Sequence, residues 1–324
     1  RNTMEETMIK EQELFQKYVQ ILVKQNKDKK DAEKLLLDEL MHTEELLPEL
    51  HILENEAVVE HILREAVYDA TSDAGVLDVS MLTDCLKRLE FEADLSEEET
   101  AQVVENFISL LRRLLKQRQT NRVEKLTASD EIRIRIENMV NELDMHIGNY
   151  EKDYGHAQAL LVDVLRCVQL DELTKGNYER AYAEMFARAK NREACSHCFE
   201  SMIQHSPMDA NLVYGWLLQN LEWKEYAACN TIIAQGLQLE DIEYTDLFLE
   251  IAQEIAQLTK DDASYREWKA QYGKKRAALK RMQASILPLP REAYQDAKPN
   301  KPCPCGSGKK FKACCGKLIK KLDA

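Results

Sequence analysis

Apolar residues recur at helical spacing along most of this chain. Between residues 96 and 118, Val103, Val104, Phe107, Leu111, Leu114 and Leu115 follow the i, i+3, i+4, i+7 pattern that gathers side chains on one face of a helix. Ser96 opens that run and Glu99 follows three residues on. The serine oxygen can accept an orphan backbone N–H while the glutamate reaches back, which is a capping box. Arg112, Arg113, Lys116 and Arg118 fall towards the other end, where cations suit the helix dipole. The same periodicity predicts helices over roughly 4–25, 30–46, 54–71, 78–90 and 130–148. No stretch alternates in the manner of a strand closed by a hairpin turn. The expected body is all-α, a helical bundle of about twelve helices.

The second half carries a weak internal repeat. Tyr178/Tyr182, Trp223/Tyr226 and Tyr265/Trp268 each pair two aromatics around charged residues, and the first members stand 45 and 42 residues apart. Gly-Asn-Tyr-Glu-Arg-Ala at 176–181 resembles the turn between the helices of a tetratricopeptide repeat. Leu221 replaces the glycine in the next copy, and the spacing exceeds that family's repeat of about 34 residues. The expectation is a helical domain over 1–150 followed by stacked helical hairpins over 151–285, loosely tetratricopeptide-like. Such stacks usually present a concave surface for a peptide or protein. Residues 286–302 then hold prolines at 288, 290, 299 and 302, which predicts an extended, semi-rigid linker.

Charge separates the last residues from the rest. The chain carries −13 overall, yet 298–324 has eight lysines against one acid, Asp323, which leaves −20 for the remainder. So acidic a body is a poor general partner for nucleic acid or an anionic membrane, whereas the tail has the opposite sign. No apolar run approaches the ~20 residues of a membrane span, so no membrane insertion is expected. The first twenty residues lack the apolar core of a signal peptide. With nine cysteines and no leader, a cytoplasmic chain with reduced thiols is expected, in which clustered cysteines suggest metal more than disulfides.

The cluster is "KPCPCGSGKKFKACCGK" at 301–317. Cys303 and Cys305 form one pair, Cys314 and Cys315 the other, and four thiolates suit tetrahedral Zn²⁺. Pro304 stiffens the first pair, while Gly306 and Gly308 allow positive φ, so that the backbone can turn back. Lys309, Lys310 and Lys312 offset the charge of the thiolates. Few sizeable apolar residues are present, so the metal has to supply the folding free energy. Gly-Ser-Gly-Lys-Lys looks superficially like a phosphate loop, but Cys303 and Lys310 stand where that loop needs Gly and Ser/Thr.

The run Cys-Pro-Cys-Gly-Ser-Gly-Lys-Lys-Phe-Lys-x-Cys-Cys resembles the SEC-C motif, which ends the Sec translocase motor ATPase and is appended to many otherwise unrelated bacterial proteins. The resemblance implies a zinc knuckle over 303–324, with Cys315 as the fourth ligand. It also implies contact with an export chaperone, a translocation partner or the ribosome, and a bacterial cytosolic setting. Lys309, Lys310, Phe311 and Lys312 are either the partner-contacting surface, possible ribosomal RNA contact included, or a solvated knuckle face. The translocase's nucleotide-binding motifs do not occur in these residues.

Other patterns have bland readings beside the chemical ones. Cys195 and Cys198 form a second CxxC, either buried structural thiols or a metal or redox pair completed by Cys167, Cys229 or His205. Glu39 and His42 have ExxH spacing but no second such motif. His51, His61 and His146 read as ordinary helical residues. Lys274, Lys275, Arg276, Lys280 and Arg281 form a basic helix end. No nucleophile motif is recognisable. The leading expectation is a zinc-binding adaptor whose helical body holds a client and whose knuckle docks a partner. The alternative is an enzyme or regulator working in the body, with the knuckle as a localisation tag.

Overall fold

A computed structural model describes residues 12–72, 77–91, 95–239, 241–283 and 289–322. Residues 4–11 of the first expected helix lie outside these, as do 286–288 of the expected linker and the side chains of Lys274, Lys275, Arg276, Lys280 and Arg281. The described residues form fourteen α-helices and no strand. Nine of them run through the first unit: α1 (Gln12–Lys24), α2 (Lys29–Leu46), α3 (Glu56–Thr71), α4 (Val79–Phe91), α5 (Glu97–Gln117), α6 (Asp130–Tyr150), α7 (Tyr154–Cys167), α8 (Glu172–Arg188) and α9 (Arg192–His205). Then come α10 (Ala210–Glu222), α11 (Tyr226–Gly236), α12 (Ile242–Thr259), α13 (Ala263–Gln283) and, in the tail, α14 (Cys315–Leu322). The chain is all-α, as its periodicity predicts.

Short polar side chains set where these helices begin. Asp28, Asn55, Ser96, Ser129, Asp153, Asp171, Asn191 and Asp241 each accept a backbone N–H of the first turn, satisfying donors that have no partner inside the helix. The capping box of α5 is present on both sides: the Glu99 amide donates to Ser96 Oγ at 3.2 Å, and the Ser96 amide donates to Glu99 Oε2 at 2.9 Å. Behind it Val103, Val104, Phe107, Leu111, Leu114 and Leu115 are all buried.

The chain divides into two compact units, Arg1–Gln219 and Asn220–Ala324. In the first, α7 is apolar on nearly every side, with Ala157 through Leu165 buried, which is the pattern of a central helix. It packs against α3, α5, α6 and α8. The division expected after residue 150 therefore falls between helices that share one core. In the second unit α11 packs on α12 and α12 on α13.

Two local expectations are corrected. Residues 176–181 are not a turn but the middle of α8. Asp171 has already capped that helix, accepting the Thr174 amide at 2.9 Å, and Tyr178 is buried within it with its hydroxyl on the Val140 carbonyl. The second copy does span a turn, at Lys224 with φ 61°, and the third lies inside α13. The three segments thus hold three different positions. The described part of the proline-rich stretch is not extended either: Arg291–Tyr294 is a turn of 3-10 helix and Tyr294 is buried. The aromatic ring has a core to enter, and that core is the cysteine cluster.

Candidate metal centre

The tail is built by doubling the backbone back on itself. Pro302 and Lys310 form an antiparallel bridge. The Cys303 amide donates to the Lys309 carbonyl at 2.7 Å, the Phe311 amide to Lys301 at 2.9 Å and the Lys312 amide to Pro299 at 3.0 Å. The reversal needs left-handed backbone at Gly306 and Gly308, φ 76° and 71°, a conformation glycine reaches without a Cβ clash. Phe311–Ala313 is a turn of 3-10 helix, after which Cys315 opens α14. There Gly316 lies so close to Phe311 that a Cβ would stand 2.8 Å from its carbonyl oxygen. The chain could not pass at that point with a side chain.

These turns bring Cys303, Cys305, Cys314 and Cys315 together, with all four sulfurs within 4.8 Å of one another. Cys305 Sγ is 3.6 Å from Cys314 Sγ, and Cys314 Sγ is 3.8 Å from Cys315 Sγ. A disulfide needs ~2.05 Å. Four sulfurs held at ~2.3 Å from one ion at the corners of a tetrahedron are about 3.8 Å apart. The spacing is that of a four-thiolate metal site. Such a donor set would fill a tetrahedral ion and leave no position for a reacting water, as in structural sites.

Burial and hydrogen bonds divide the four thiols. Cys303 and Cys315 are buried, Cys305 and Cys314 half-buried. The Ser307 hydroxyl and amide draw the Cys305 thiol down to about 6. Burial pushes Cys315 up to about 12. Cys305 therefore ionises before Cys315, from which an ion would have to displace a proton. Ser307 Oγ also lies 3.2 Å from Cys314 Sγ. A serine between two glycines reads from sequence as turn composition, which hid this role.

Tyr294 was equally hidden, because it sits in what reads as linker. Its hydroxyl hydrogen-bonds Cys315 and accepts the Leu289 amide at 3.2 Å, while its ring stacks on Phe311 with centroids 6.0 Å apart. Burial, and then the thiol beside it, push its own pKa up to about 12. A hydrogen bond to a ligand sulfur orients it and tunes its basicity. Tyr294→Phe should weaken metal binding by about 10–100-fold, read by competition with a chromophoric chelator; equal affinities would remove Tyr294 from the site. Phe311 is half-buried in this cluster, whereas Lys309, Lys310 and Lys312 are exposed.

Residues 300–317 match the SEC-C motif. The chain is 28% identical over 153 residues to the protein translocase subunit SecA of Paraburkholderia xenovorans, covering 46% of this chain and 16% of that protein. For SecA of Cupriavidus metallidurans the figures are 30% over 154 residues, 46% and 15%. For SecA of Aliarcobacter butzleri they are 23% over 222 residues, 60% and 25%. The chain thus spans a quarter or less of the length of these relatives, and the likeness extends beyond the motif. No solved structure matches.

The other sequence candidates resolve differently. Cys195 and Cys198 are buried in α9, and burial pushes Cys198 up to about 12, so they are core thiols. Glu39 does not pair with His42 but accepts Arg166 Nη2 at 2.7 Å. Both Glu39 and His42 line a cleft of about 320 Å³ that also receives Glu65, Asp69, Arg112 and Asp163. Beneath it His61 Nε2 is 2.7 Å from Asp163 Oδ2, and Arg64 Nη2 is 2.9 Å from His61 Nδ1. Both ring nitrogens of His61 are thus engaged in hydrogen bonds, one to a carboxylate and one to a guanidinium. No helix among the described residues is long and apolar enough to cross a membrane.

Proposed function

We propose that this is a cytoplasmic, zinc-binding adaptor. The knuckle is a docking module, and the helical body, with its hairpins, holds a client. The carrying observation is the division of labour within the tail: its four thiols converge on one ion-sized volume while Lys309, Lys310 and Lys312 face outward. A closed four-thiolate site suits Zn²⁺, which has no redox demand and no geometric preference of its own. Ion binding at this site rigidifies a backbone that then presents cations at fixed positions.

The likeness to protein translocase subunits supports a partner in translocation, an export chaperone or the ribosome. Exposed lysines on an otherwise acidic chain suit an acidic protein surface or ribosomal RNA phosphate. Phe311 braces this surface from behind. Exchange of Lys309, Lys310 and Lys312 for glutamate in the full chain should abolish co-sedimentation with ribosomes, or pull-down of the translocation partner, with zinc content unchanged. Capture that persists undiminished after the exchange would refute the docking role.

A further inference from the structure

The connection between α2 and α3 is made of two single turns of 3-10 helix, Pro48–Leu50 and Ile52–Glu54, joined at His51. His51 is not helical, as its sequence surroundings suggest, but left-handed, with φ 52° and ψ 48°. Leu50 and Ile52 on either side are fully buried, which fixes its backbone. A 3-10 turn repeats every three residues, so positions i and i+3 eclipse. Glu54 therefore stands over His51: its amide donates to the His51 carbonyl at 3.0 Å, and its Oε1 lies 3.7 Å from His51 Nδ1.

The first of these turns packs on α9, where the Cys198 thiol meets the Leu50 carbonyl at 3.7 Å. With Cys195 and Cys198 turned into the core, His197, one of the two residues between them, is turned out. Its ring centre is 4.0 Å from that of His51, edge to face. Donor atoms of His51, Glu54 and His197 all lie within 4.8 Å of one another. His51 Nε2 is buried and has no hydrogen-bond partner, an arrangement that costs free energy in the absence of a ligand nearby to organise the ring.

We propose that His51, Glu54 and His197 form a second metal site, one that takes a divalent transition ion such as Zn²⁺ or Co²⁺. Imidazole donors select these ions over Mg²⁺ and Ca²⁺, which take oxygen ligands. Donors at ~2.0–2.1 Å from a tetrahedral ion are about 3.3 Å apart, within side-chain rotation of the spacing present here. Three protein ligands leave one position for water or for a side chain of another molecule. Two of the ligands are exposed, so the ion exchanges faster than at the four-thiolate centre. Binding ties the loop after α2 to α9. The CxxC pattern thus marks a metal ligand, but the ligand is the histidine inside it.

The test is zinc uptake by the full chain with all four tail cysteines replaced by serine, measured by competition with a chromophoric chelator. One equivalent is expected. His197→Ala, an exposed change on α9, should weaken it by more than the ~10–100-fold that loss of an outer-shell partner costs; His51→Ala should do the same. Co²⁺ should give visible ligand-field bands without thiolate charge transfer. Absence of any equivalent in the four-serine chain would overturn the proposal. So would an equivalent whose affinity is unchanged by His197→Ala, with helical circular dichroism intact.

Discussion

Replacement of Cys303 and Cys305 with serine should unfold residues 289–322 and leave the helices of the first unit intact. Fixing a residue's backbone costs about 1–2 kcal/mol, and among the described residues of this segment the buried hydrophobic side chains are Tyr294, Cys303 and Cys315. Two of those three are thiols whose value depends on what they bind. A structural Zn²⁺ supplies about 10–16 kcal/mol of apparent binding free energy in small metal-folded domains, enough to order a segment of this kind. With two ligands gone that term disappears, and the hydrogen bonds from Cys303, Phe311 and Lys312 across the hairpin have nothing to hold them. Trypsin should then cut rapidly after Lys309, Lys310, Lys312 and Lys317. Far-ultraviolet circular dichroism should barely change, because α14 is one short helix among the fourteen of the described residues. A tail that resists trypsin equally with and without these cysteines would contradict the metal-folded account.

Asp163→Asn should destabilise the first unit by about 3–5 kcal/mol, the cost of breaking a buried ion pair by removing one partner. For a unit of this size that lowers the thermal midpoint on the order of 10 °C. Asp163 is fully buried on α7, bonded to His61 and within 3.9 Å of Arg166. Burial alone would raise its pKa, but His61, Arg112 and Arg166 outweigh that and hold it below the usual carboxylate value. The contribution is therefore fully present above the ordinary carboxylate range near pH 4, and is lost as pH falls through the lower folded-state value. Acidification should erode the difference between wild type and variant. By contrast Lys152→Ala, which breaks only an exposed pair with Glu97, should leave the midpoint where it is. A thermal midpoint unaltered by Asp163→Asn would show that the lattice around α7 does not support the fold.

The helices were legible in the sequence because each carries two local signals, an apolar stripe and a polar cap. Ser96 with Glu99 and the stripe from Val103 to Leu115 placed α5 to within a residue. Charge was less legible. Arg112 reads as a dipole-favoured cation at a helix end, yet it is half-buried and paired with Glu65 and Asp69. Those carboxylates come from α3, more than forty residues away, and no local pattern announces such a partner. The turn-like Gly-Asn-Tyr at 176 was outweighed by a cap five residues earlier and by a tyrosine that needed burial.

In the tail the convergence of the four cysteines and the turns at the glycines were legible, because metal chemistry demands particular residue types at short spacing. Tyr294 was not, since a tyrosine among prolines carries no signal until the cysteine cluster gives it something to pack on. His51 and His197 are likewise brought together only by the packing of a 3-10 turn on α9.

Amide hydrogen exchange of the tail, followed with the metal present and after exhaustive chelation, tests the central claim most directly. The Cys303, Phe311, Lys312 and Cys314 amides, all hydrogen-bonded in the knuckle, should be protected in the loaded protein and exchange at the unfolded-chain rate once the metal is removed. Protection that survives chelation, in a chain shown to be metal-free, would mean that something other than the ion shapes these residues.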